Sequence, residues 1–339
     1  MKITYYVHDL SFPLVEGIRK QAWWMALAMR KEGHEVEVVS TGKKTMTLAR
    51  DGVTIRYFKP LTPPEVITDV MHYLSHPSPL FYPLLRKVQA RKQILTFFDG
   101  NCNGFWKRAW YPLLSPSFRK RLDLITIQTQ YQQDHLTKTM LKDISLKRIP
   151  PLIPHYKKTA VKTQQPSLLF MSHLSEYKGI ADVLDAFEKV KQNIPDLTLT
   201  ICDSSIRQNR SYTQRIANLE NKGVTFKGKV DSQQELSKAW IYLYPVHGAQ
   251  ETFSIPLSLI EAIQVETPFI CSDVGGISEF FPKEFLVPPQ KPDELASKIM
   301  NLLTTSHIPK LKKEIQNKRV INSFKESYGI QSRTGDENA

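Results

Sequence analysis

Along its whole length the chain alternates short runs of β-branched and aromatic residues with stretches of helical spacing, separated by brief breaks at glycine or proline. That alternation builds βαβ units and mostly parallel sheets, and so an α/β fold. The 339 residues, 41% of them hydrophobic, can bury a large core and favour two domains over one. Between the halves, Pro150-Pro151-Leu152-Ile153-Pro154-His155-Tyr156-Lys157-Lys158 and the polar run to Pro166 lack periodicity. The expected division is a domain over 1–155, a linker over 156–166 and a second domain over 167–305.

Two further segments bear on the organisation. Pro60, Pro63, Pro64, Pro77, Pro79 and Pro83 predict an irregular stretch over 60–83, relieved by a short helix from Glu65 to Leu74. A loop of that length inside a compact domain is often functional. Near the C-terminus Leu311, Ile315, Ile321, Phe324 and Tyr328 recur at nearly helical spacing, predicting a basic helix within 306–328, followed by a disordered tail over 329–339.

The most informative stretch is Pro245-Val246-His247-Gly248-Ala249-Gln250-Glu251-Thr252-Phe253-Ser254-Ile255-Pro256-Leu257-Ser258-Leu259-Ile260-Glu261, followed by Phe269 to Ser272, Asp273-Val274-Gly275-Gly276 and Leu286-Val287. It reads as a strand over Ile241 to Tyr244, a loop, a helix opening near Pro256-Leu257-Ser258, a second strand over Phe269 to Ser272 and a glycine turn. A helix that starts beside the carboxyl ends of parallel strands offers free backbone N–H groups and partial positive charge to an anion.

The order and spacing of these segments resemble the nucleotide-sugar site of retaining glycosyltransferases of family 4, which have the GT-B architecture. Leu168 to Gly179 is similar to the strand and loop that open that family's donor domain; Lys178 and Gly179 fit, and His173 stands where the family usually has arginine. Pro195 to Ile201 and Gly223 to Val230 fit the next two strands. The N-terminal half is less closely similar: Met1 to Val7 as strand, Lys20 to Glu32 as helix, Gly33 to Ser40 as strand, then Leu124 to Gln128 and Leu146 to Pro150 as later strands. Glu16-Gly17 replaces the usual Gly-Gly, and Phe98 of Phe97-Phe98-Asp99 takes the usual histidine position. The resemblance implies two Rossmann-like domains with mostly parallel sheets facing across a cleft, the first binding acceptor and the second nucleotide-sugar, with the last helix returning to the first domain.

It also implies roles. Breaking an anomeric C–O bond puts negative charge on a departing phosphate, where fixed cations and N–H groups stabilise it. Lys178 is the expected cation, His173 a hydrogen-bond donor to the same diphosphate, and Glu261 the carboxylate that accepts both ribose hydroxyls. Ser258 and Leu259 offer backbone N–H groups at the helix start, while Gly17 and Arg19 lie in the first loop, where a nucleotide phosphate would pass. Glu251, Thr252, Phe253 and Ser254 occupy the loop that faces the donor sugar. The family carries two glutamates separated by seven residues, and counting back from Glu261 reaches Phe253; either Glu251 acts from a longer loop or catalysis proceeds without it. Asp99 is the carboxylate nearest the usual histidine position, either a base or acceptor anchor, or a turn aspartate. Gly275-Gly276 is expected at positive φ and Glu279 beyond it at a helix start. No Asp-x-Asp element appears, so neither a divalent metal nor any cofactor besides the donor is expected.

Charge is uneven. Residues 1–155 hold 23 Lys and Arg against 12 Asp and Glu, whereas the remainder holds 23 against 21, so nearly all of the net +13 lies in the first half. There, Asn103 to Pro112 and Pro116 to Arg121 mix cations with aromatic and aliphatic side chains. Two readings stand: a surface for a lipid-phosphate acceptor at an anionic membrane, or core rings beside a solvated cationic face. No helix-turn-helix, zinc-finger, RNP or KH signature accompanies the basic character, so nucleic acid is not an expected partner. Cys102, Cys202 and Cys271 are few, odd in number and without ligand spacing, as for buried reduced thiols. No apolar run reaches membrane-spanning length and no cleavable signal pattern is present, so the expected location is cytoplasmic, or peripheral at the inner membrane face. The leading expectation is thus a metal-independent retaining glycosyltransferase using a UDP- or GDP-sugar and a lipid-linked or glycan acceptor. The alternatives are a catalytically impaired homologue that binds nucleotide-sugar or glycan and, further off, a basic nucleic-acid-binding protein.

Overall fold

The computed structural model describes residues 1–14, 16–74, 82–98, 120–136, 143–153, 156–203, 210–249, 252, 255–305, 307–310 and 316–330. The chain divides into two compact units, Met1–Leu152 with Lys313–Ala339, and Ile153–Lys312.

The first unit is built from β1 (Lys2–Val7), α1 (Gly17–Lys31), β2 (Glu35–Thr41), β3 (Met46–Arg50), β4 (Val53–Phe58), β5 (Val66–Leu74), α2 (Tyr82–Leu85), β6 (Val88–Thr96), β7 (Leu124–Ile127), α3 (Gln130–Leu136) and β8 (Leu146–Arg148). Its sheet runs β3-β4-β2-β1-β5-β6-β7-β8, parallel throughout except for the β3–β4 hairpin. The strand order reverses between β1 and β5, which makes their carboxyl ends a topological switch point. Helix α1 forms over a run of good helix formers, buries Ala22, Trp23, Met25, Ala26 and Met29, and places Arg30 and Lys31 in its last turn, where cations favour the helix dipole.

The helix expected over Glu65 to Leu74 is instead β5, paired with both β1 and β6. Val66, Thr68, Val70, Met71, His72, Tyr73 and Leu74 are all buried. From Val70 to Leu74 the strand is covered on both faces and reads as a continuous run, and only its first residues, with Ile67 exposed, keep the alternation of a half-exposed strand. The β-branched content of Val-Ile-Thr was the usable signal.

A terminal helix, α9 in chain order (Asn317–Tyr328), belongs to this unit and begins later than 306. Val320, Phe324 and Tyr328 form its buried stripe. The Tyr328 hydroxyl lies 3.1 Å from that of Tyr5 and 2.6 Å from His72 Nδ1, and His72 Nε2 lies 2.6 Å from Thr96 Oγ1, itself 2.6 Å from Thr126 Oγ1. Burial holds the His72 pKa down at about 3, so this polar chain carries a neutral imidazole. Of the disordered tail expected over 329–339, Gly329 and Ile330 instead close α9, their N–H groups donating to the Glu326 and Lys325 carbonyls at 2.9 Å each, and 331–339 lie outside the described residues.

The second unit comprises β9 (Ser167–Met171), α4 (Ile180–Asn193), β10 (Thr198–Cys202), α5 (Arg210–Ala217), β11 (Val224–Lys227), α6 (Ser232–Lys238), β12 (Ile241–Tyr244), α7 (Leu257–Gln264), β13 (Phe269–Ser272), β14 (Leu286–Val287) and α8 (Pro292–Thr305). All its strands are parallel, in the order β11-β10-β9-β12-β13-β14. This is the doubly wound order that binds dinucleotides where it reverses, here between β9 and β12. Leu168, Phe170, Leu199, Ile201, Leu243 and Ile270 face one core with Ile180, Val183, Leu184 and Phe187 of α4 and Leu295 and Ile299 of α8.

The segment read as a linker is fastened to this unit. Thr159 N donates to Ser237 Oγ at 3.2 Å, Thr163 N to the Lys238 carbonyl at 3.0 Å, and Lys162 Nζ to Thr267 Oγ1 at 2.7 Å. Burial, then the neighbouring Lys158, lowers the Lys162 pKa to about 8. Cys202 and Cys271 are buried free thiols, and Cys102 lies outside the described residues. Burial pushes the Cys202 thiol up to about 12, with Glu235 adding to the effect, so it is held protonated and unreactive.

Candidate functional site

The loops that follow β9 and β12 meet at the switch point of the second sheet. After β9 the chain turns through the 3-10 segment Glu176–Lys178 into Gly179, which adopts φ +77° and precedes α4 directly. A Cβ built on Gly179 would stand 2.0 Å from the Pro245 carbonyl oxygen, so only glycine allows the β12 loop to pass here. His247 then locks the passage. Its N–H donates to the Tyr177 carbonyl at 2.9 Å, and its ring Nε2 lies 2.8 Å from Asp182 Oδ2 in the first turn of α4. Both side chains of that pair are nearly buried.

Beyond the passage two tyrosines fix the descent into α7. Tyr244 Oη lies 2.9 Å from Thr252 Oγ1, and the fully buried Tyr242 donates to Ser258 Oγ at 3.0 Å. Burial raises the Tyr242 pKa far above its ordinary value, keeping the phenol protonated as the donor. Helix α7 therefore starts at a fixed place beside the carboxyl end of β12, with Pro256 as its cap residue.

Of the residues that sequence reasoning assigned to the donor, this frame positions five. Lys178 closes the 3-10 segment and is half-buried; Glu261 lies in the second turn of α7 and is buried, 2% exposed. His173 is exposed in the β9 loop with Nδ1 3.4 Å from Asp203 Oδ1, and Asp203 Oδ2 also accepts the Leu174 N–H at 3.3 Å. Ser258 sits at the start of α7. Leu259 departs from its expected role: its N–H donates to the Pro256 carbonyl at 3.1 Å, so it is spent inside the helix start rather than offered to phosphate. Glu251 and Ser254, like Phe253, lie outside the described residues, as does Asp99 in the first unit. Gly275 and Gly276 take φ of +61° and +87°, and Glu279 lies in the 3-10 turn that follows.

Gly17 and Arg19 sit elsewhere, at the switch point of the first sheet. Gly17 is the first residue of α1. Arg19 reaches back across the β1 loop, donating to Asp9 Oδ2 at 2.9 Å and Ser11 Oγ at 3.0 Å, with Glu16 at 3.5 Å. Its guanidinium thus braces the loop that opens α1. The basic aromatic segments over 103–112 and 116–119 lie outside the described residues.

Sequence reasoning missed Asp203, Asp182, His247 and the two tyrosine hydroxyls. Asp203 was findable in part, since it is the first residue after a strand whose carboxyl end lies at the switch edge. The His247–Asp182 pair spans 65 positions and left no local trace. Among the described residues no group of three metal-ligating side chains clusters, and no helix is long and apolar enough to cross a membrane.

Comparison with known proteins follows the same division. Residues 154–320 match the family model for glycosyl transferases group 1. Over 315 residues the chain is 23% identical to the phosphatidyl-myo-inositol mannosyltransferase of Mycobacterium tuberculosis, covering 84% of this chain and 82% of that protein. The pneumococcal O-GlcNAc transferase GtfA, solved with UDP and GlcNAc, superposes with a TM-score of 0.71 at 12% identity, covering 97% of this chain and 98% of that one. Anabaena HepE, solved with UDP and glucose, gives 0.73 at 12% identity over 98% of this chain and 100% of that one. Such identities establish a shared fold: the chain has the α/β architecture of the GT-B glycosyltransferases, and it is residues 154–320 that are identified as a glycosyl transferases group 1 domain.

Proposed function

We propose that this protein is a retaining glycosyltransferase that moves a sugar from a nucleoside-diphosphate-sugar, UDP- or GDP-linked, to a lipid-linked or glycan acceptor without a divalent metal or other cofactor. The observation that carries the proposal is the meeting of the β9 and β12 loops at Gly179 and Pro245, beside the start of α7, inside the stretch that matches the group 1 model. A nucleoside diphosphate laid on that edge meets the Lys178 ammonium and the partial positive charge of α7, while Glu261 accepts from the ribose hydroxyls.

In the reaction the anomeric C–O bond breaks and its electron pair leaves with the diphosphate. Lys178 and the α7 start oppose that charge as it grows, which lowers the barrier more than it tightens ground-state binding. An acceptor hydroxyl oxygen then bonds to the anomeric carbon on the face the diphosphate vacates, which retains configuration, and its proton passes to the departing phosphate oxygen; we assign Asp99 to anchor that hydroxyl or take up its proton. We assign His173, whose Nδ1 lies 3.4 Å from Asp203 Oδ1, as a hydrogen-bond donor to the same diphosphate. The mannosyltransferase relative is named for a phosphatidyl-inositol, which favours a lipid-linked acceptor here, and with it a cytoplasmic enzyme peripheral to the membrane.

The test is nucleotide release from UDP- and GDP-sugars in chelator-treated buffer. Slow release that disappears in both Glu261→Ala and Lys178→Ala supports an enzyme. Binding of a nucleotide-sugar without release at any protein concentration would instead mark a binding homologue.

A further inference from the structure

Several buried side-chain atoms of the first unit have no hydrogen-bond partner among the described residues, Thr4 Oγ1 and His34 Nε2 among them, and one of these atoms stands at the carboxyl edge of β7. Gln128 follows β7 directly and is 3% exposed, yet its side-chain Oε1 has no hydrogen-bond partner among the described residues. A buried amide oxygen left in that state costs about 1–3 kcal/mol relative to a paired one. Natural proteins retain few such groups, and each calls for a cause.

The surroundings show that the orphan is held in place. Gln132, at the start of α3, accepts both the Gln128 N–H at 2.6 Å and the Thr129 N–H at 3.2 Å through Oε1, and donates from Nε2 to the Phe97 carbonyl at 2.8 Å. Thr129 Oγ1 accepts the Gln132 N–H at 3.0 Å in return. One glutamine therefore ties the end of β7 to the end of β6 and satisfies the backbone on both. A second glutamine, four residues earlier, is left with its amide oxygen unmet on this rigid edge.

Position gives the orphan a meaning. β6 and β7 are neighbouring parallel strands, and Phe97, Phe98 and Gln128 all lie at their carboxyl ends. In open α/β sheets ligands bind outside that edge. Phe97 and Phe98 are buried there, 2% and 6% exposed, and bring no hydrogen-bonding side chain of their own. Gln128 is the uncharged polar group beside them whose oxygen is still available.

We propose that Gln128 is a specificity-determining residue that binds a sugar or polyol hydroxyl of the acceptor at the carboxyl edge of β6 and β7; this rests on the glycosyltransferase reading above. A hydroxyl is the chemically suited partner because it both donates and accepts, and so satisfies the amide whichever way it is turned. A site that hydrogen-bonds a hydroxyl also rejects ligands lacking it, since the buried amide is then left unpaired.

The experiment compares the wild-type protein with Gln128→Leu and Gln128→Glu by saturation-transfer NMR against glucose, mannose, galactose, N-acetylglucosamine and myo-inositol. Melting temperature and the response to UDP and GDP are followed in parallel. The expected result is saturation of at least one of these compounds by the wild type, weakened about ten- to hundred-fold in Gln128→Leu. Gln128→Leu should melt at or above the wild-type temperature, because a buried unpaired oxygen has been removed, and its nucleotide response should be unchanged. Gln128→Glu keeps an acceptor oxygen and should retain part of the saturation. An undiminished response in Gln128→Leu overturns the proposal, as does a wild-type protein that saturates none of the five compounds. If nucleotide response is absent while the Gln128-dependent sugar response is present, the donor reading fails and this one stands.

Discussion

The Gly179 backbone and the Pro245 carbonyl are packed so closely that a single added methyl group would fall 2.0 Å from the carbonyl oxygen. The contact joins the loop that carries Lys178 to the loop that leads into α7, and so couples the two halves of the candidate donor site. Gly179→Ala should therefore do more than add the roughly 1–2 kcal/mol of a left-handed alanine. The β12 loop must move, and nucleotide response should be lost together with a fall in melting temperature. Tyr177→Ala, which leaves the Tyr177 carbonyl and the glycine in place, should keep that response; differential scanning fluorimetry with and without nucleotide separates the two variants.

His247 and Asp182 are the second coupling between these loops. The pair is nearly buried, so removing one partner leaves the other's polar atom without this hydrogen bond. Asp182→Ala should destabilise the protein by about 1–3 kcal/mol in urea titration. The double variant Asp182→Ala with His247→Ala should cost clearly less than the sum of the two singles.

His72 predicts an acid-side loss of stability. Its folded pKa is about 3 and its ordinary value is 6.5, so the unfolded chain binds the extra proton first as pH falls. The contribution is complete above about pH 6.5 and is withdrawn between there and about pH 3, at up to about 1.4 kcal/mol per pH unit. Urea midpoints across that window should show the slope in the wild type, and His72→Gln should remove this part of it. Tyr5 and Tyr328, which face the ring, stay protonated throughout because burial raises both phenols.

What the sequence made legible follows local physics. β12 and β13 lie where expected, at Ile241–Tyr244 and Phe269–Ser272, because short β-branched and aromatic runs between sharp breaks admit few other readings. β5 was misread as a helix because its second half, Val70 to Leu74, is buried on both faces and carries no alternation. In the candidate site, residues whose placement depends on their own loop, such as Lys178 and Gly179, could be located from the sequence. Partnerships between distant segments could not. Gln21 both donates to and accepts from the Leu152 backbone, at 2.8 and 2.9 Å across 131 positions, and Asp203 meets His173 across 30. Leu259 failed for a different reason: a proline-capped start turned its N–H inward onto Pro256.

The most direct measurement is a thermal-shift titration of the wild-type protein and Glu261→Ala with UDP, GDP, ADP and their common sugar conjugates in metal-free buffer. The account predicts that one nucleotide family stabilises the wild type at millimolar concentration, and that the stabilisation vanishes in Glu261→Ala while the variant remains folded. A wild-type protein that no nucleotide stabilises, or a shift that survives loss of Glu261, would contradict the assignment of the donor site to the β9 and β12 loops and α7.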